Sequence, residues 1–300
     1  MTARGRPWRR GLVAALVLAG LLLGACGSVA STHGRIAVVA GEDVWGGIAA
    51  QLGGPEIRVT SIVTSPTADP HQYTASAADA AAIHGAALVI VNGAGYDGFM
   101  GQLLSASGTS PRVLTVASVA HAGGPDPNPH FWYDLATVRA VAEAVTAAYV
   151  RLDAEARPAF ERRLHAFERS LDPITRMIGA IAARDGGQPV AYTERVPGYL
   201  LGAAGLRVLT PQGFARSIEA GVEPGLADTV AMDRLLTSHA ISVLLYNVQT
   251  VTSVTTQIRQ LAASSGIPVV GISETLPAGD PTYQRWQLMQ DTGLLRALAR

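Results

Sequence analysis

Strand-like and helix-like segments alternate along most of this 300-residue chain, and this alternation constrains the fold more than any other feature. In the first half, short β-rich runs occupy residues 35–40, 57–63, 87–92 and 112–116, and an Ala-rich helical stretch covers residues 76–84. Strands separated by helices are typical of parallel βαβ units. The pattern predicts an α/β lobe built on a parallel sheet.

The same alternation returns after Gly186-Gly187. Strands are predicted over residues 189–193, 241–246 and 267–272, and helices over residues 199–204, 229–238, 254–264 and 281–298. Asp228 precedes the second of these helices, and we expect it to act as the N-cap. The second half therefore repeats the architecture of the first, and the predicted fold is α/β with two lobes.

A long helical segment separates the two halves. An apolar stripe at spacings of three and four runs from Phe160 to Leu171, and Pro173 is expected to kink or interrupt the helix. We interpret this segment as a connector, although periodicity alone is equally consistent with a surface helix. The predicted organisation is an N-terminal lobe at 27–150, a connecting helix at 151–184 and a C-terminal lobe at 185–300.

The N-terminus carries a targeting signal. Four arginines precede an uncharged apolar run, Gly11 to Leu23, which is short for a membrane span. Leu23-Gly24-Ala25-Cys26 then resembles a bacterial lipoprotein signal, in which the chain is cut before Cys26 and the thiol receives a lipid. We expect residues 1–26 to be a signal that exports the chain from the cytoplasm, so that the mature protein is extracytoplasmic and lipid-anchored to the outer face of the cell membrane. A plain secretory signal and an uncleaved anchor are the alternatives.

Composition excludes several functions. Cys26 is the only cysteine, so its lipidation leaves no thiol for a disulfide, a zinc-thiolate site or cysteine catalysis. The formal charge is zero and no basic stripe is present, which argues against a nucleic-acid partner. Gly93-Ala94-Gly95 is not a phosphate loop because the chain contains no lysine, and we interpret it as a tight turn.

Two of the seven histidines directly follow a proline, in Asp69-Pro70-His71 and Asn128-Pro129-His130. Proline restricts both its own φ and the residue before it, so each imidazole leaves a stiff loop in a defined direction. Glu194 and Glu274 closely follow predicted strands of the second lobe, where open α/β sheets bind ligands. Each residue alone is explained as an ordinary loop or salt-bridge residue, but together the four predict a metal site between the lobes.

Two neutral imidazoles and two carboxylates suit a divalent cation because the carboxylates cancel its charge. In the empty site the carboxylates repel each other, so we expect metal binding to draw the lobes together. A metallohydrolase is the competing interpretation, but a catalytic metal keeps a position open for water. Four protein ligands close the coordination shell and leave no position for a catalytic water. We therefore expect a protein that captures the metal and is not an enzyme.

These motifs, with Gly198-Tyr199-Leu200, Glu223-Pro224 and Ser273-Glu274-Thr275, resemble the metal-binding component of zinc and manganese ABC importers, the cluster A-I solute-binding family. The resemblance covers roughly residues 35–300. It implies two pseudo-symmetric lobes joined by a long helix, one bound metal between them, and a monomer that delivers the metal to an ABC permease and its ATPase subunit. Some lipoproteins of this family have been called adhesins, which gives a third interpretation.

The resemblance also implies the ligands. His71 and His130 match the two N-lobe histidines of the family. Glu194 falls where zinc-type members have a histidine and manganese-type members a glutamate, Glu274 falls where an aspartate is usual, and Asn128 replaces the usual aspartate. The oxygen-rich set and the lack of a His-rich acidic loop favour manganese, whereas intrinsic affinity for nitrogen and oxygen donors rises towards zinc. The predicted ligand is therefore manganese or zinc, with manganese preferred.

Overall fold

The computed structural model describes residues 1–2, 34–279 and 282–299. The predicted lipidation site Cys26 and the apolar run before it lie outside the described residues. No helix among the described residues is long and apolar enough to cross a membrane.

The N-terminal lobe is built on a four-stranded parallel sheet in the order β2-β1-β3-β4. Its central strands are buried apolar runs, as expected for a sheet covered on both faces. Ser76 caps the helix that follows β2 through a capping box with Asp79. The strands are β1 Ile36–Glu42, β2 Ile57–Val63, β3 Leu88–Val91 and β4 Arg112–Thr115; the helices are α1 Asp43–Gly53, α2 Ala77–His84, α3 Gly98–Ala106 and α4 Val116–Val119.

The C-terminal lobe contains a second four-stranded parallel sheet, in the order β6-β5-β7-β8. The second strand again lies at one edge beside the first, so the two sheets have the same topology. The prediction of an α/β fold with two pseudo-symmetric lobes is confirmed. The strands are β5 Pro189–Tyr192, β6 Arg207–Val208, β7 Val243–Asn247 and β8 Val269–Ile272; the helices are α8 Gly198–Ala203, α9 Gln212–Glu219, α10 Leu226–Thr237, α11 Ser253–Ser264 and α12 Tyr283–Leu298.

The segment between the sheets differs from the single connecting helix predicted over 151–184. A helix over residues 135–150 is also indicated by the sequence and corresponds to α5 Leu135–Leu152, but the segment after it is divided into two helices, α6 Arg157–Ser170 and α7 Asp172–Asp185. Helix α6 ends at Ser170, and Pro173, which was expected to kink or interrupt the helix, lies in the first turn of α7, where its missing N–H breaks no helical hydrogen bond. The exact boundaries of the two lobes stay a prediction.

A second difference concerns α10. This helix begins at Leu226 with Gly225 as its N-cap, so the prediction that Asp228 caps it is wrong. Asp228 lies in the first turn instead, where the positive end of the helix dipole favours a carboxylate. The short strand β6 and helices α3 and α9 were not predicted.

One apolar cluster extends through both lobes. It contains Trp45 and Trp132, whose rings meet edge to face at 6.2 Å, together with Leu200 and Trp286 from the C-terminal half. Helix α12 returns from the C-terminal sheet to pack against α7. Because the two lobes share buried side chains, large rearrangements between them would expose apolar surface at a cost of about 25 cal/mol per Å².

Candidate metal centre

The loop after β2 directs His71 towards the second lobe. Asp69 begins a short 3₁₀ turn, Pro70–Gln72, and its Oδ1 accepts a hydrogen bond of 2.9 Å from the backbone N–H of His71. Pro70 is buried and fixes the backbone of this turn. The imidazole is therefore held by local geometry.

His130 is fully buried, and its ring orientation is set by Asn128. The side-chain oxygen of Asn128 lies 2.7 Å from Nδ1 of His130 and also accepts from the His130 backbone N–H at 3.2 Å. Because an amide oxygen only accepts, Nδ1 carries a proton in this arrangement. In the neutral ring, Nε2 then presents a lone pair towards the opposite lobe.

Glu274 reaches both imidazoles from the loop after β8. Its Oε2 lies 3.1 Å from Nε2 of His130 and 3.5 Å from Nε2 of His71, and it accepts a 2.9 Å hydrogen bond from the hydroxyl of Tyr96. Among the described residues, these two histidines and Glu274 form the one group of three whose ligand atoms all lie within 4.8 Å.

The charge of Glu274 is stabilised by its surroundings. Burial alone would raise its pKa, but His71, His130 and Tyr96 together lower the pKa to about 2. An ionised carboxylate oxygen that faces imidazole lone pairs requires a cation between them, either protons on the rings or a metal ion. Nitrogen and oxygen donors in this proportion suit a divalent transition metal.

Glu194 follows β5 and lies beside Glu274, outside the cluster of three. The side-chain N–H₂ group of Asn247 donates to Oε2 of Glu194 and, at 2.7 Å, to Oε1 of Glu274. Oε1 of Glu194 is buried without a hydrogen-bond partner. Burial, and then the charge of Glu274, raise the pKa of Glu194 well above its usual range.

The ligand atoms of His71, His130 and Glu274 thus lie within 4.8 Å of one another. Glu194, the fourth predicted ligand, is linked to Glu274 through the side-chain amide of Asn247. Glu194 and Glu274 are both fully buried, so Glu274 is not a solvated loop acid. Arg195, the alternative salt-bridge partner of Glu194, pairs with Asp126 and Glu219 instead. The assignment of His71, His130, Glu194 and Glu274 as ligands stays a prediction.

Sequence reasoning missed Tyr96 and Asn247. Asn247 ends β7 and directly follows the strand predicted over 241–246, so the rule that selected Glu194 would also have selected it. Tyr96 follows Gly93-Ala94-Gly95, whose three residues all have positive φ, between 53° and 82°. This tight left-handed turn, as interpreted from the sequence, returns the chain so that Tyr96 faces Glu274.

Two similar α/β lobes that meet at buried histidines and glutamates define a class, the two-lobed binding proteins with a candidate metal site at the lobe interface. The profile of the ZnuA family, described as zinc-uptake complex component A, periplasmic, matches residues 38–292. The chain therefore belongs to the ZnuA family of periplasmic metal-binding proteins, and the resemblance found in the sequence is confirmed.

Solved structures share this fold at low sequence identity. The periplasmic zinc-binding protein TroA from Treponema pallidum is 20% identical over 89% of this chain and 100% of that chain, with a TM-score of 0.77. The manganese-bound periplasmic metal-binding protein from Candidatus Liberibacter asiaticus is 19% identical over 88% of this chain and 100% of that chain, with a TM-score of 0.73. The binding protein FpvC from P. aeruginosa, in complex with Ni²⁺, is 17% identical over 89% of this chain and 97% of that chain, with a TM-score of 0.74.

Proposed function

We propose that this protein captures one divalent transition-metal ion, manganese or zinc, between its lobes and delivers it to an ABC permease for import. The proposed ligands are His71, His130, Glu194 and Glu274. Membership of the ZnuA family supports metal binding and transport as the general role. The ligand set, the choice of metal and the delivery step are specific to the proposal.

The contact between His130 and Glu274 carries the proposal. Asn128 holds the Nδ1 side of the ring at 2.7 Å, and Nε2 faces Oε2 of Glu274 at 3.1 Å. With its proton on Nδ1, the ring keeps a lone pair on Nε2 that can coordinate a cation. The opposite tautomer would lose the hydrogen bond to Asn128. An imidazole lone pair and a buried carboxylate oxygen repel each other unless a proton or a metal ion lies between them.

Glu194 is the proposed fourth metal ligand. Its buried Oε1 has no hydrogen-bond partner, and a buried carboxylate oxygen without a partner is costly. A divalent ion beside Glu274 would satisfy this oxygen and relieve the repulsion between the two carboxylates. Two imidazoles and two carboxylates favour manganese, although zinc is expected to bind tightly in vitro.

Delivery requires a membrane partner. We propose a monomer tethered through a lipid on Cys26 that presents the metal to a permease and its ATPase subunit, with no catalytic turnover of its own. The N-terminal signal and the periplasmic character of the family support this location.

The test is elemental analysis of the full chain, purified without chelator, followed by competition between manganese and zinc. We expect one equivalent of metal, which His71→Ala and Glu194→Ala each remove. His165→Ala is the control, because His165 is exposed and its imidazole pairs with Glu168 in its own helix, away from the proposed site. Metal content unchanged in both site variants would reject the ligand assignment.

A further inference from the structure

We infer that two side-chain amides, Asn128 and Gln249, couple the proposed ligands across the lobe interface, so that ordering the ligands and joining the lobes are one event. The inference rests on the proposed metal-binding function. Neither side chain is itself a candidate ligand, and both act by positioning other residues.

Asn128 bridges from the N-terminal lobe to the C-terminal lobe. Its oxygen accepts from the ring and the backbone of His130, as described above. Its Nδ2 donates to the backbone carbonyl of Arg195 at 2.9 Å, one residue beyond Glu194. The Tyr199 hydroxyl donates back to the Asn128 carbonyl at 2.9 Å. The loop of His130 is therefore fixed to the loop of Glu194.

Gln249 bridges in the opposite direction and is almost fully buried. Its oxygen accepts from the backbone N–H groups of Glu274 at 2.6 Å and Thr275 at 3.2 Å, within its own lobe. Its Nε2 donates at 2.9 Å to the carbonyl of Ala68, three residues before His71 in the N-terminal lobe. The loop of Glu274 is therefore fixed to the loop of His71.

The two bridges follow the same rule. In each, the amide oxygen binds a ligand residue of its own lobe, and the amide N–H₂ donates to a backbone carbonyl in a ligand loop of the other lobe; that of Gln249 also donates to Thr275 Oγ1 in its own lobe at 2.9 Å. A side-chain amide supplies both an acceptor and a donor from one planar group. A carboxylate of the same shape would keep the first contact and turn a lone pair towards the carbonyl in the second.

This chemistry defines isosteric tests. Asn128→Asp and Gln249→Glu each retain the acceptor and remove the donor, and Gln260→Glu adds the same charge at an exposed position of the C-terminal lobe. Gly198→Ala tests the Asn128 bridge without changing Asn128, because an added Cβ would lie 2.8 Å from its Nδ2. Gly202→Ala in the same helix meets no atom within 4 Å and is its control.

Two measurements are made on each full-length variant: Mn²⁺ affinity by calorimetry, and hydrogen exchange of the metal-free protein by mass spectrometry. We expect the bridge variants to lose roughly tenfold in affinity, an effect typical of residues that orient metal ligands, because the ligand loop of the opposite lobe is no longer fixed beside the site. Exchange should rise in the lobe opposite the substitution, over residues 194–199 for Asn128→Asp, over residues 128–133 for Gly198→Ala and over residues 64–72 for Gln249→Glu. Both controls should match the wild type.

Wild-type affinity in the bridge variants would overturn the inference, and so would faster exchange confined to the lobe that carries the substitution. If the wild-type protein binds neither Mn²⁺ nor Zn²⁺, the proposed function fails. The exchange measurement needs no metal and still decides whether the bridges couple the lobes.

Discussion

Glu194 and Glu274 share a single hydrogen-bond donor, the side-chain amide of Asn247, which lies between the two buried carboxylates. The amide partly offsets the repulsion that two adjacent carboxylates create in a low-dielectric environment. The other oxygen of Glu194, Oε1, is buried without a hydrogen-bond partner.

Asn247→Asp should therefore destabilise the metal-free protein and make its stability depend strongly on metal. The substitution removes hydrogen bonds to charged groups, each worth about 1.5–3 kcal/mol, and adds a third acid. We expect the melting temperature without metal to fall by several degrees, and saturating Mn²⁺ to restore much of the loss. Thermal melts with and without metal measure both effects. Equal melting temperatures of variant and wild type without metal would contradict the role assigned to Asn247.

Glu274→Gln should separate stability from metal binding. The new amide N–H₂ can donate to the imidazole lone pairs that face it, so the metal-free protein should melt at or above the wild-type temperature. The lost negative charge should abolish most of the rise in melting temperature that Mn²⁺ produces. Glu155→Gln neutralises an exposed carboxylate and serves as the control. A full Mn²⁺-dependent rise in Glu274→Gln would argue against this residue as a ligand.

Metal affinity should increase with pH. The pKa of Glu274 is lowered to about 2, so this ligand stays ionised, but the pKa of Glu194 is raised and imidazoles must lose their protons to coordinate. Protons therefore compete with the metal, most strongly below about pH 6.5, the usual pKa of histidine. Calorimetry in two buffers of different ionisation enthalpy should show more protons released per Mn²⁺ at pH 6 than at pH 8. An affinity that does not change between these pH values would exclude a two-histidine site.

Asp291 in α12 gives a stability prediction away from the metal. Burial raises its pKa to about 7, and the side-chain amide of Gln287 donates a hydrogen bond to its Oδ1. A carboxyl whose pKa is higher in the folded state stabilises the fold at low pH, and this contribution is lost as the pH rises through about 7. Asp291→Asn should match the wild type near pH 4 and exceed it at pH 8 by at least about 1 kcal/mol in unfolding free energy, given 1.36 kcal/mol per pKa unit. Denaturant unfolding at both pH values measures this, with Glu155→Gln as control.

The fold was largely predictable from the sequence because its main signal is local. The strands that the sequence predicted are apolar runs long enough to stand out, and Pro173 marked where the connecting helix breaks. The strand β6 was missed because it has only two residues, and α3 because Gly98 and Gly101 weaken its helical pattern.

The candidate site was predictable only in part. Histidines after prolines and acids after strands are features that a sequence displays. The roles of Asn128 and Gln249 depend on which backbone carbonyl faces each amide across the interface, and that is decided by tertiary packing. In the sequence Asn128 is only a departure from the usual aspartate, whereas in the structure its amide donates to the carbonyl of Arg195.

The most direct test of the central claim is a crystal structure of the Mn²⁺-loaded full-length protein with anomalous scattering at the manganese edge. The account predicts one anomalous peak between the lobes, at coordination distance from Nε2 of His71 and His130 and from carboxylate oxygens of Glu194 and Glu274. A peak elsewhere, or one at this site that Glu194 does not contact, would contradict it.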